Sequence, residues 1–223
     1  MTYIILILSV LVGVLIVFGL KPSNKSAQLM LSFSGAYLLS ISILHLLPEV
    51  YTSNKQHIGL FILLGLLLQL ILEFFSKGAE HGHIHIHKST AFPLALFLSL
   101  SIHAFLEGIP LANHNEDSHL LWAIVIHKVP IAIILATFFV NSNISKLKAV
   151  LFLIVFSLMS PFGNYIGESL KIIWELKTEI TAVLIGIFLH ISTIILFESA
   201  KDHKFNLYKF IAIIFGMVIA FLA

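Results

Sequence analysis

The sequence predicts an all-α, polytopic integral membrane protein with eight transmembrane helices. Three observations carry that prediction. Hydrophobic residues occupy 59% of the 223 positions and charged residues only 11%, against roughly 45–50% and about 25% in a soluble domain. Mean hydropathy is +1.03. The apolar residues fall into runs of about 20, the length a helix needs to cross a hydrocarbon core of about 30 Å. Such runs are too long and too uniformly apolar for barrel strands, so the helix remains as the fold that satisfies its own backbone in lipid.

The first run, Thr2–Leu20, lacks the basic flank and small-residue cleavage site of a signal peptide and reads as a retained span. The second, Ala27–Val50, follows the breaker Lys21-Pro22-Ser23-Asn24-Lys25 and contains Pro48. Ile58–Ser76 comes third, after Thr52-Ser53-Asn54-Lys55. The fourth and fifth, Ala91–Asn113 and Leu120–Val140, carry Pro110 and Pro130. A proline inside a span removes one backbone hydrogen bond and permits a kink. The sixth, Ala149–Leu170, follows Asn141-Ser142-Asn143 and contains Pro161, then Gly163 and Gly167, a small-residue pair that allows close helix approach. Ile180–Ser199 and Phe205–Leu222 complete the set.

Lysine placement predicts orientation. All 13 basic residues are Lys. With the N-terminus outside, the inner loops hold nine of them (Lys21, Lys25, Lys77, Lys88, Lys146, Lys148, Lys201, Lys204, Lys209) and the outer loops three (Lys55, Lys171, Lys177). The positive-inside rule therefore places both termini outside. The absence of Cys excludes disulfides, thiolate metal sites and thiol catalysis. A net charge of +2 offers no nucleic-acid surface, and no nucleotide-binding loop is present.

The chemistry sits inside the apolar runs. Ser101-Ile-His103-Ala-Phe-Leu-Glu107-Gly108 places His103 and Glu107 four residues apart, on one helix face. His127-Lys128 lies within the fifth run. Ionisable groups at membrane depth are costly and face the bundle interior or a water-filled path, and imidazole with carboxylate suits a divalent metal such as Zn²⁺. A lone membrane His is often a packing residue. His103, Glu107 and His127 together read as a metal site on a pathway. Lys128 beside them snorkels or pairs with Glu107 when the site is empty. His45 and Glu49 form a second i, i+4 pair nearer the outer end, read as entrance or accessory ligands against interfacial snorkelling. His190 in the seventh run reads as a lower pathway group or a packing residue. For Glu73 and Glu198, at the inner span ends, interfacial solvation is the default. His81, His83, His85 and His87 alternate in the inner loop, a composition that binds metal. The outer loop from Asn113 to His119 is acidic and His-bearing, either a cation-gathering mouth or a polar turn.

At these residues the chain resembles the ZIP family (Zrt/Irt-like divalent metal transporters) over essentially its whole length. The matching pieces are Ser101-x-His103-x-x-x-Glu107-Gly108, His127-Lys128-x-Pro130, His45-Leu-Leu-Pro48-Glu49, Glu73 and the His-rich loop. The resemblance implies a single transmembrane transporter domain over residues 1–223, with a His-rich inner loop at about 77–90. It implies inverted three-helix halves around the fourth and fifth spans, a path lined by the second, fourth, fifth and seventh, and movement of the ion into the cytosol. Gly35-Ala-Tyr-Leu and Gly186-Ile-Phe-Leu echo one another weakly, as inverted repeats would.

The pattern departs from many members at Lys128, where they carry a carboxylate, at Ile131, where they carry a further ligand, and at Ala104, often Asn. These changes favour a single central ion, with water, Ser101 or a carbonyl completing its coordination. The expected function is import of Zn²⁺, or of Fe²⁺, Mn²⁺, Co²⁺ or Cd²⁺, as transported substrate with no cofactor required. The expected partners are that ion and the lipid bilayer, with a homodimer allowed and nucleic acid excluded. A bacterial inner (plasma) membrane is the expected location. The alternative is an intramembrane zinc-dependent hydrolase, in which the metal activates water; the absence of His-Glu-x-x-His weighs against it. A metal sensor using the His loop without transport is a third reading.

Overall fold

The computed structural model describes residues 1–76, 94–113, 118–142, 144–198 and 206–223. His81, His83, His85 and His87, and most of the acidic outer loop, lie outside the described residues. The described residues form helices and no strands.

In chain order these are α1 (Thr2–Leu20), α2 (Asn24–Ile41), a π-helical turn (Ser42–Leu46), α3 (Leu47–Thr52), α4 (Ile58–Ser76) and α5 (Leu94–Gly108). A 3-10 segment (Ile109–Asn113), α6 (Ser118–Asn141), α7 (Lys146–Ser169), the short α8 (Lys171–Glu175), α9 (Lys177–Glu198) and α10 (Leu207–Leu222) follow. The first and third spans have the bounds expected from the sequence. Others start earlier than their apolar runs, because the polar residues ahead of each run form the cap and first turn. Ser23 Oγ accepts from the Ser26 N–H at 3.2 Å, and Ser145 Oγ from Lys148 N–H at 3.4 Å. The apolar run marks lipid depth; the cap marks the helix end.

Among the described residues seven helices are long and apolar enough to cross a membrane, with the second span running continuously over Asn24–Thr52. The stretch expected to form the eighth span contains α10, an apolar helix of 16 residues, shorter than those seven. At 1.5 Å per residue it is about 24 Å long. It starts at the Asn206 cap, whose side chain accepts from Lys209 N–H. The chain is thus an all-helical integral membrane protein.

The prolines act differently from one another. Pro48 cannot donate to the Leu44 carbonyl, and just before it the ladder slips by one residue, with Leu47 N–H bonding Ser42 O. Pro110 lies in the 3-10 segment that ends the fourth span. Pro130 and Pro161 stay inside α6 and α7.

The most extensive helix packing pairs α4 with α9, α2 with α10, α1 with α6, and α5 with α7. Glycine decides how close these pairs come, most tightly where both helices of a pair supply one. A Cβ on Gly108 would clash with the Ser160 carbonyl oxygen, and one on Gly163 with that of Phe105, so α5 and α7 touch backbone to backbone. Gly65 and Gly186 do the same for α4 and α9, against Val183 O and Ile62 O. Ser160 Oγ adds a hydrogen bond to Ala104 O at 2.6 Å. These pairs are joined to one another chiefly by α2 packing on α6 and α9, by α1 on α7 and by α4 on α5. His103 and Glu107 lie on α5 and His127 on α6.

Candidate metal centre

α5 carries His103 and Glu107 one turn apart on a face turned into the bundle, where they are 3% and 2% exposed. Helical spacing brings His103 Nε2 within 2.8 Å of Glu107 Oε1. α6 supplies His127, 1% exposed, with its ring edge-on to that of His103 (centroids 6.2 Å apart, 82° between planes). One ligand atom from each of the three lies within 4.8 Å of the others. Zinc bonds of about 2.0–2.1 Å in tetrahedral geometry set ligand atoms about 3.3 Å apart. An ion entering would therefore part His103 from Glu107 by about half an ångström and draw His127 inward. Among the described residues this is the group of His, Asp or Glu side chains able to share an ion.

Lys128 does not snorkel. It is 3% exposed, its Nζ lies 3.2 Å from Glu107 Oε2, and it sits 5.5 Å from the Phe156 ring centroid on α7. Of the two readings offered by the sequence, pairing with Glu107 is the one found. The two Glu107 oxygens thus have separate partners, an imidazole and an ammonium. A buried carboxylate is tolerable only with such compensation.

The remaining predicted residues lie elsewhere. His45, in the π-helical turn, stacks on His119 of α6 with ring centroids 4.2 Å apart. Glu49, one turn on, is 3.6 Å from Lys177 Nζ, close in sequence to Glu179, which holds Lys55 at 2.8 Å. His190 is paired with Glu73 of α4, Nε2 to Oε2 at 2.5 Å. Glu73 is therefore more than an interfacial carboxylate. Ser101 is about 200° around α5 from His103, on the stripe where Phe97 packs edge-to-face with Phe152 of α7 and Gly108 meets Ser160. Its buried hydroxyl has no hydrogen-bond partner among the described residues.

Sequence reasoning missed Gln69. It is fully buried in α4, and its Oε1 lies 3.1 Å from His103 Nδ1. The available signal was a single carboxamide within the Leu-rich run Ile58–Ser76, where a polar side chain needs a partner.

Comparison with known proteins follows the same direction. The family described as "ZIP Zinc transporter" matches residues 76–223. "Zinc transporter ZIP1" of Danio rerio is 32% identical over 139 residues, 58% of this chain and 44% of that protein. "Protein zntD" of Dictyostelium discoideum is 27% identical over 150 residues, 58% of this chain and 22% of the other. "Zinc transporter ZIP1" of Takifugu rubripes is 35% identical over 96 residues, 41% of this chain and 32% of the other. The matched stretch covers under half of each relative.

Proposed function

This chain belongs to the ZIP zinc transporter family, and from that premise we propose that it imports a divalent metal ion, zinc foremost, from outside into the cytosol. The ion binds at mid-membrane between His103, Glu107 and His127. The observation that carries the reading is the convergence of three buried ligand atoms within 4.8 Å on two consecutive apolar helices. Ionisable groups that are buried in the bundle interior and paired with one another are the usual mark of an ion pathway through a membrane. The names of the relatives support zinc as the first ion to test, with Fe²⁺, Mn²⁺, Co²⁺ and Cd²⁺ as competitors.

The other polar groups extend the path in this reading. His45 and Glu49, with His119 stacked on the former, receive the ion at the outer end. His190 and Glu73 take it below the centre. Lys128 supplies the positive charge that a second ion would otherwise provide, so one ion occupies the centre. A Lys128→Glu variant is expected to bind two ions; one bound ion with wild-type uptake would contradict this role. The finer topology belongs to the same proposal: eight spans with α10 as the last, both termini outside, inverted halves around α5 and α6, and a bacterial inner membrane. The inner His-rich tract buffers the delivered ion, and a homodimer is compatible with this arrangement.

A transporter predicts that zinc added outside sealed proteoliposomes reaches a dye trapped inside. A sensor or scaffold predicts bound zinc and a silent dye. The intramembrane hydrolase receives no support from the comparisons.

A further inference from the structure

We propose that Gln69 is a positioning residue for the central site, acting through His103. The proposal rests on the reading of His103 as a zinc ligand. Gln69 is the twelfth residue of α4, inside an otherwise apolar stretch, and has no exposed surface. A buried carboxamide is costly unless it is hydrogen-bonded. Here its Oε1 is 3.1 Å from His103 Nδ1, while Nε2 of the same ring faces Glu107 Oε1 at 2.8 Å. The two ring nitrogens therefore have separate tasks. Nδ1 faces α4, and Nε2 faces the ligand cluster.

With Gln69 Oε1 accepting, the proton is held on Nδ1 and the Nε2 lone pair is the one offered to the ion. The same bond fixes the ring about its χ2 axis, and an outer partner of this kind fixes both tautomer and orientation of a ligating histidine. The α4/α5 seam is pinned in the register that this needs. Ser99, one turn before His103, donates from Oγ to Leu72 O at 2.6 Å. Moving from Ser99 to His103 on α5 corresponds to moving back from Leu72 to Gln69 on α4, as antiparallel neighbours require. The ion's ligands lie on α5 and α6, so Gln69 is a contribution from a third helix, α4, to the geometry of the site.

The test uses the full chain in lipid nanodiscs and compares wild type, Gln69→Met, Gln69→Glu and His103→Ala. Met keeps the length of the side chain and loses the acceptor; Glu keeps the acceptor. Zinc affinity is read by competition with a chelating dye, and ligand geometry by the visible absorption of Co²⁺. Gln69→Met is expected to weaken zinc binding by about 10–100-fold and to change the Co²⁺ spectrum, while Gln69→Glu stays within a few-fold of wild type. A role in packing alone predicts the reverse order, with Met harmless and the buried carboxylate damaging. That order, or wild-type affinity and spectrum in Gln69→Met, overturns the proposal.

Should Gln69→Met not fold, ¹⁵N chemical shifts of the His103 ring in zinc-loaded wild type decide the matter, assigned by difference from His103→Ala. A protonated Nδ1 with a metal-bound Nε2 supports the proposal, and the opposite assignment overturns it. A wild-type protein with no zinc that His103→Ala removes overturns the site reading along with this one. Zinc lost in His103→Ala but indifferent to Gln69 overturns this one alone.

Discussion

Replacing Lys128 by Met tests the electrostatics of the centre, because Lys128 and Glu107 lie 3.2 Å apart with both side chains 2% exposed. Removing one partner of a buried ion pair leaves the other uncompensated and costs about 3–5 kcal/mol. For a chain of this size each kcal/mol moves the melting temperature by about 2–4 °C. The metal-free variant in nanodiscs should therefore melt roughly 6–20 °C below wild type. Zinc changes the comparison. Its charge compensates Glu107 directly, and the variant has no ammonium to compete for the carboxylate or to repel the ion. Saturating zinc should therefore raise the melting temperature of Lys128→Met by more than it raises that of wild type. At about 100 times the dissociation constant the binding contribution is roughly 2.7 kcal/mol, which a melt resolves. The assay is a thermal melt followed by intrinsic fluorescence with and without a fixed free zinc concentration. An unchanged metal-free melt, or a smaller zinc-induced rise than in wild type, would refute the account of Lys128 as the counter-charge of an empty site.

Two other predictions follow from the same geometry. Gly108→Ala places a methyl group against the Ser160 carbonyl oxygen. It should push α5 from α7, disturb the turn that carries Glu107, and reduce uptake at least tenfold while the protein still inserts; normal flux from a well-folded variant would show the approach to be dispensable. Because metal ligands must be deprotonated, the zinc dissociation constant should rise as the pH falls. Titrations with the chelating dye at several pH values check this, and a dissociation constant that does not change with pH would contradict a histidine ligand set.

The candidate ligands were legible because the sequence encodes them locally. His103 and Glu107 share a helix face by spacing alone, and an ionisable group in an apolar run has few inexpensive environments. His127 needed only the assumption that consecutive spans turn their polar residues to one site. What stayed hidden depended on contacts between distant helices. His190 and Glu73 are 117 residues apart in sequence, so neither residue reveals the other. Gln69 carries no charge and no metal-ligand signature, and its meaning depends on which α5 residue stands opposite. The helix ends were less legible than the spans, since hydropathy follows lipid depth while Ser23, Ser145 and Asn206 set where the backbone begins to wind. Pro48 announced a break in the second span but not its form. The π-helical turn keeps the span continuous and re-aims His45 toward His119. Ser101 shows the limit of proximity in sequence: two residues from His103, it lies on the opposite side of the helix.

The most direct measurement is zinc entry into sealed proteoliposomes holding a zinc-sensitive dye, wild type against His103→Ala. The account predicts saturable entry in wild type and its loss in a variant that still inserts and folds. Equal entry through both proteins would contradict the central site as the route of the ion.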